Sequence, residues 1–216
     1  MKRLMPDALR PAPESLCRGD LADLPGDRHI FFRHWLRNPL GIGAVFPSGA
    51  KVARAMAREL ALEREGAVLE LGGGTGSVTG GLIEAGCPAE RLVVIEREPA
   101  LARRLQQRFA GVRVICGDAG ATDALLAAAA IHRLASAVSS LPIKWFPRAT
   151  QRAVLDACFA RLGTGGAFVQ LTNALTSPLP AAELGLAAEE TQRIWLHFLP
   201  TQIWCYRRPG EQAERG

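Results

Sequence analysis

From Ala67 onward the chain switches repeatedly between short apolar runs and longer stretches in which apolar residues return every three or four positions. Runs at 68–71, 92–96, 112–116, 135–141 and 167–172 predict strands. They do not alternate apolar with polar, as expected of strands buried on both faces. The stretches at 76–84, 99–109, 122–133 and 148–161 predict the intervening helices, with Pro99 suited to a first helical turn and 163–166 forming a turn before the fifth strand. Strictly alternating strand and helix predict a parallel sheet covered on both sides. The pattern then changes: 193–198, Leu199-Pro200 and 201–208 predict two aromatic-rich strands around a tight turn, an antiparallel hairpin closing the sheet edge. The fold class is therefore α/β, with seven strands, mostly parallel, and a C-terminal antiparallel hairpin.

Ahead of this region, residues 1–24 carry Pro6, Pro11, Pro13 and mixed charges, and predict a loosely attached arm. Pro25-Gly26 breaks the chain and Asp27 is a candidate N-cap for a helix over 28–37. A helical wheel places Phe31, Phe32, Trp35 and Leu36 on one arc, with His29, Arg33, His34 and Arg37 opposite. Asn38-Pro39 ends the helix. Another is predicted after Pro47, with Ser48 as cap, running through Val52, Ala55, Met56 and Leu60. Residues 1–47 thus form an arm with an amphipathic helix and residues 48–216 one domain, without repeats.

Composition narrows the choices. At 216 residues, with 48% hydrophobic and 22% charged positions, the chain can bury a substantial core and is not disordered throughout. Its longest apolar run, 124–131, falls far short of the roughly 20 residues that a bilayer-spanning helix needs. The first residues lack the form of a secretory signal, so a cytoplasmic protein is expected. Cys17, Cys87, Cys116, Cys158 and Cys205 are scattered without a CxxC pair, which predicts free thiols and neither zinc nor a disulfide framework. The net charge is +5, and of the basic residues only Lys2, Lys51 and Lys144 are lysine. Residues 1–60 hold ten basic against six acidic residues, so most of the excess lies there.

The strongest chemical signal is Glu70-Leu71-Gly72-Gly73-Gly74-Thr75-Gly76, at the first strand-to-helix junction. A dinucleotide fold would use G-x-G-x-x-G, but Ser77 stands at the third glycine position. A P-loop is excluded because no Gly-Lys-Ser/Thr follows. The run resembles motif I of class I S-adenosylmethionine methyltransferases, which are Rossmann-like. Two further features occur in register with it. Glu96 closes the second strand near the offset of a ribose-binding carboxylate, with Arg97 after it, and Gly117-Asp118-Ala119 follows the third strand, where the superfamily contacts adenine. The resemblance implies that Glu70 and Gly72, Gly73, Gly74, Thr75 and Gly76 surround the methionine part of S-adenosylmethionine. It also implies that Glu96 and Arg97 lie at the ribose and Asp118 and Ala119 at the adenine, with S-adenosylhomocysteine as product and no metal required.

The fourth strand leads to Ser139-Ser140-Leu141-Pro142-Ile143-Lys144-Trp145. Methyltransferases of base amines carry Asn/Asp-Pro-Pro/Leu-aromatic there, and this chain has serines for the amide and Ile143 for the stacking ring. The order of features narrows the resemblance: an aromatic-basic helix, Asn38-Pro39, Phe46-Pro47-Ser48, the glycine run, Ser139-Ser140-Leu141-Pro142 and Trp204-Cys205-Tyr206-Arg207-Arg208. Over about residues 28–208 the chain resembles the soluble bacterial phospholipid N-methyltransferases, which convert phosphatidylethanolamine stepwise to phosphatidylcholine. Gly73 departs from the family, many of whose members have proline there.

This resemblance implies direct transfer to a deprotonated headgroup nitrogen. The Ser139 and Ser140 hydroxyls, the Leu141 carbonyl and Tyr206 are then the orienting groups, Ser48 joins the cofactor set, and 38–48 is a lid. Phe31, Phe32, Arg33, Trp35 and Arg37 would meet an anionic membrane surface, apolar arc toward the acyl boundary, although the same pattern suits a helix facing its own core. Arg207 and Arg208 are candidates for a lipid phosphate or a solvated strand end. The expected partners are phosphatidylethanolamine-type lipids at the cytoplasmic membrane, bound peripherally, rather than nucleic acid. An RNA adenine N-methyltransferase and a non-catalytic S-adenosylmethionine-binding module remain the alternatives.

Overall fold

The computed structural model describes residues 47–163, 165–196 and 199–209. The amphipathic helix expected at 28–37, the arm before it, and most of the 38–48 lid lie outside the described residues. The elements run α1 (Pro47–Ala57), β1 (Ala67–Leu71), α2 (Ser77–Glu84), β2 (Leu92–Glu96), α3 (Pro99–Arg108), β3 (Arg113–Cys116), α4 (Thr122–Ala128), β4 (Leu134–Ser139), α5 (Arg148–Phe159), β5 (Phe168–Thr172), β6 (Ala187–Leu196) and β7 (Leu199–Arg207). Seven strands form one sheet in the order β3-β2-β1-β4-β5-β7-β6. The first five are parallel, and β7 and β6 join antiparallel.

Each parallel strand sends alternate residues into two cores, which is why its sequence reads as an unbroken apolar run. Leu69, Leu71, Val93, Ile95 and Ile115 pack with Leu125, Leu126, Val154, Leu155 and Phe159 of α4 and α5 on one face. On the other face Val68, Val94, Val138 and Val169 pack with Val52, Met56, Val78, Leu82 and Leu105 of α1, α2 and α3. Complete burial of such side chains contributes about 1.5–3 kcal/mol each. Helix α1 lies so close to α2 that a Cβ on Gly81 would stand 2.0 Å from that of Ala53.

Several element bounds differ from expectation: α1 starts at Pro47, with Ser48 inside its first turn, and stops at Ala57 short of Leu60. Three further differences have a clear local cause. Helix α4 stops at Ala128 rather than continuing to 133. Ala130 takes a left-handed φ of 54°, and the Ala130 and Ile131 amides donate to the Ala127 and Leu126 carbonyls at 3.0 and 2.9 Å. This is a Schellman stop made without the customary glycine. Strand β4 ends at Ser139, since Pro142 has no amide to continue a ladder and Ile143 donates back to the Leu141 carbonyl at 2.8 Å. In the hairpin, β6 begins at Ala187 and pairs Leu196 with Leu199, so Leu199-Pro200 belongs to β7 instead of forming the turn. Strand β6 lies at the sheet edge and is interrupted by a register shift between Glu190 and Gln192. Among the described residues no helix is long and apolar enough to cross a membrane.

The chain runs from β1 outward to β3, then returns to place β4 on the other side of β1. That reversal opens a crevice beyond the carboxyl ends of β1 and β4, the position where open α/β sheets bind ligands.

Candidate functional site

The glycine turn occupies this crevice. Leu71 is level with Ile95, and Glu96 with Cys116. The Gly72 amide donates to the Ile95 carbonyl at 2.9 Å and the Gly117 amide to the Glu96 carbonyl at 3.0 Å. The three expected cofactor segments therefore share one sheet edge. Gly74 has φ 53°, and a Cβ built on it would meet nothing within 4 Å, so its backbone borders open space. Gly73 is crowded instead, its notional Cβ 2.5 Å from Val94 Cγ1 and 2.7 Å from Leu105 Cδ1.

Two carboxylates brace the turn in different ways. Glu96, nearly fully buried, accepts from the Gly74 amide through Oε2 and the Glu98 amide through Oε1, both at 2.8 Å. Glu70 is completely buried and accepts from Thr79 Oγ1 at 2.8 Å. Its other oxygen, Oε1, has no hydrogen-bond partner among the described residues. Burial pushes the Glu70 carboxyl up to about 8, the Thr79 hydroxyl opposing and nearby Glu96 adding to the rise. Asp118 Oδ1 accepts from the Gly120 amide at 2.7 Å, and its Oδ2 lies 3.5 Å from Arg97. Ala119 begins the short turn that Asp118 caps.

The acceptor side is built onto the same turn. Ser140 Oγ donates to the Gly72 carbonyl at 2.9 Å, and a Cβ on Gly72, whose φ is 82°, would fall 2.5 Å from Leu141 Cδ2. Ser139, fully buried, accepts from the Leu141 amide at 3.3 Å. The Leu141 carbonyl accepts from Gln170 Nε2 at 2.9 Å.

Three expected placements need correction. Tyr206 pairs with Phe168 at the start of β5, about 13 Å below the Thr172 end at 3.3 Å per residue. It is fully buried, its hydroxyl 2.8 Å from Ser177 Oγ, and burial pushes it up to about 12; its hydroxyl is engaged in bracing the loop after β5. Arg207 and Arg208 follow it to the opposite sheet edge, Arg207 4.0 Å from Glu189 and Arg208 over the Phe159 ring at 5.6 Å. Their backbone lies at the amino-terminal ends of the parallel strands, away from the end that carries the glycine turn. Ser48 stands in the first turn of α1, and its side chain lies outside the described residues.

Thr79, Gln170, Gln202 and Trp204 were not expected in the site. Gln170 and Gln202 are fully buried, and each has one amide atom without a partner among the described residues, Gln170 Oε1 and Gln202 Nε2. Such a group costs about 1–3 kcal/mol. The signal for Gln170 is one amide between apolar neighbours in β5; Gln202, beside Thr201, carries none.

The open cradle at Gly74, the unpaired Glu70 oxygen and the Glu96 carboxylate fit an amino-acid-bearing nucleoside. Solved structures share the fold. They include a TehB-like S-adenosylmethionine-dependent methyltransferase from Corynebacterium glutamicum (16% identity, TM-score 0.55, 84% of this chain and 98% of that one). The 1,6-didemethyltoxoflavin N1-methyltransferase of Burkholderia thailandensis, bound to S-adenosylhomocysteine, gives 17%, 0.60, 84% and 87%. Magnesium protoporphyrin IX methyltransferase of Synechocystis, bound to S-adenosylmethionine, gives 12%, 0.58, 86% and 99%. No family model matches the chain. Fold and strand order together are those of the class I methyltransferases. More particularly, an ornithine lipid N-methyltransferase from Singulisphaera acidiphila is 31% identical over 149 residues, 68% of this chain and 78% of that protein. The chain belongs to the family of that enzyme.

Proposed function

We infer that this chain methylates the primary amine of a membrane-lipid headgroup. Phosphatidylethanolamine, carried stepwise toward phosphatidylcholine, is the substrate expected from sequence; ornithine lipid is the second reading, favoured by the relative's activity. The carrying observation is that 31% match; the polar side chains of Ser139, Ser140 and Gln170 beside the cofactor turn, fastened to it through Ser140, support it.

S-adenosylmethionine, when bound, supplies a methyl group on a sulfonium, a leaving group that needs no metal assistance. Glu70 and Gly72 to Gly76 would hold its methionine part, Glu96 its ribose, and Asp118 and Ala119 its adenine. The protein's own work is positioning. The Leu141 carbonyl, expected as an orienting group, already accepts from the Ile143 amide and Gln170 Nε2 and has no lone pair left. Ser140 Oγ, whose hydrogen is held by the Gly72 carbonyl, would instead accept an N–H of the incoming amine beside the turn. The amine must shed its proton before each attack.

Reaching a headgroup requires contact with the membrane. Among the described residues the strongly exposed large apolar side chains are Trp145, 47% exposed, and Leu175, 71% exposed. They sit on the loops that follow β4 and β5, at the rim of the acceptor edge, with exposed Lys144 and Arg148 beside Trp145. Tryptophan flanked by cations suits a lipid interface. The basic excess of residues 1–60 and the apolar arc at Phe31, Phe32 and Trp35 point to the same peripheral attachment.

Labelled S-adenosylmethionine offered with vesicles of phosphatidylethanolamine, vesicles of ornithine lipid, and ribosomal RNA tests this reading. Label is expected in one of the lipids. Label in RNA alone would overturn it.

A further inference from the structure

The function above leaves two buried amides unexplained. Gln170 faces Ser139 across the β4–β5 ladder and Trp204 across β5–β7. Gln202, two residues before Trp204, is its diagonal neighbour on the same face of the sheet. The orientation of each amide is set by its bonds. Gln170 Nε2 donates to the carbonyls of Leu141 and Leu171, at 2.9 and 2.6 Å, which leaves the oxygen as the free end. Gln202 Oε1 accepts from Trp204 Nε1 at 3.0 Å, which leaves the nitrogen free. An acceptor and a donor, each without a partner among the described residues and both fully buried, thus stand on adjacent strands, on one face, at the carboxyl end of the sheet.

Resting on the reading of this edge as the acceptor site, we propose that Gln170 and Gln202 form a two-point seat for a zwitterionic headgroup: Gln170 Oε1 accepts an N–H of the amine next to the Leu141 carbonyl, and Gln202 Nε2 donates to the anionic group carried by the same headgroup. Enzymes that methylate base amines place a side-chain amide at the end of the fourth strand. Here that position holds serine, and the amide reaches the same carbonyl from the neighbouring strand. The anionic group is a phosphate or a carboxylate, and both present the same acceptor oxygens to Gln202.

The test compares full-length wild type with Gln170→Met and Gln202→Met, near-isosteric changes that remove the amide. Binding of S-adenosylhomocysteine is measured by calorimetry, and transfer on phosphatidylethanolamine and ornithine-lipid vesicles separates phosphate from carboxylate. Gln170→Met should lower kcat/KM on the active lipid by about ten- to a hundredfold, with cofactor affinity unchanged. Gln202→Met should act mainly by raising KM. Wild-type kinetics in Gln170→Met would overturn the seat while leaving lipid methylation intact. If wild type labels neither lipid, the functional reading fails and the seat is judged alone. Nitrogen-15 spectra of the wild type with S-adenosylhomocysteine are then recorded as phosphoethanolamine or ornithine is added. Movement of the Gln170 and Gln202 side-chain amide signals, assigned by their loss in the two variants, upholds the seat. Unmoved signals reject it.

Discussion

Ser140 Oγ and the Gly72 carbonyl are joined at 2.9 Å across 68 positions of sequence. The bond ties the loop that should hold the methyl acceptor to the turn that should hold the methyl donor. Ser140→Ala removes it without adding bulk. We expect a stability loss of about 1 kcal/mol, a modest fall in cofactor affinity, and a larger fall in kcat as the two substrates lose their alignment. Calorimetry and vesicle kinetics on the same preparation check this; a change confined to thermal stability would reduce the bond to a structural strut.

Gly73 and Gly74 are adjacent but should fail differently. A methyl at Gly73 meets Val94 and Leu105, so Gly73→Ala should cost about 1–3 kcal/mol through overpacking. Gly74→Ala finds no clash and pays about 1 kcal/mol for its left-handed backbone, yet its methyl projects into the cofactor cradle. Chemical denaturation should single out the first variant, and S-adenosylhomocysteine titration the second.

Glu70 makes stability depend on pH. The folded carboxyl keeps its proton to about pH 8 because of burial, whereas the unfolded chain releases it near the ordinary glutamate value of 4.5. Between those values the unfolded state binds fewer protons, so the contribution of Glu70 to stability is full below pH 4.5 and is lost as pH rises toward 8. Glu70→Gln should flatten that slope in melting temperatures taken at pH 5 to 8. Parallel slopes for the two proteins would reject a buried neutral acid.

Ala130 offers a gain. Alanine tolerates φ 54° poorly, and glycine is the usual residue at that point of a Schellman stop. Ala130→Gly should therefore stabilise the fold by about 0.5–1 kcal/mol, read as a higher denaturation midpoint with an unchanged slope.

Membrane attachment can be divided between two candidates. Replacing Phe31, Phe32 and Trp35 by alanine tests the N-terminal arc, and replacing Trp145 and Leu175 by serine tests the rim. Each set should reduce sedimentation with anionic vesicles while S-adenosylhomocysteine affinity holds. Full sedimentation by both variants would remove the membrane from the proposed function.

The parallel half of the sheet was legible because burial on both faces leaves Val93, Val94 and Ile95 no polar alternation to hide behind. The glycine turn was legible because backbone that must bend back on itself restricts the residues allowed. Directions within the hairpin were not. A run such as 201–208 announces a strand but not which end meets the ligand edge, and the pairing of Phe168 with Tyr206 sent Tyr206, Arg207 and Arg208 to the wrong end for their expected roles. The first half of β6, with Glu189, Glu190 and Gln192, is too polar to announce itself. The end of α4 carried no signal, since an alanine stop looks like more helix. Gln170 stood in plain view, but one amide in an apolar strand acquires meaning only when its neighbours across the ladder are known.

The β6 edge has a bearing on how copies of this protein coexist. An open strand edge is a template for a further strand. This one carries Glu189, Glu190 and Arg193, the last two locked in a salt bridge at 2.8 Å, and its ladder is broken between Glu190 and Gln192. A second chain adding there would have to strip those charges of water and match a disrupted register. Proteins gathered onto a surface meet one another at far higher local density than in bulk, and an edge so guarded lets them crowd without zipping together.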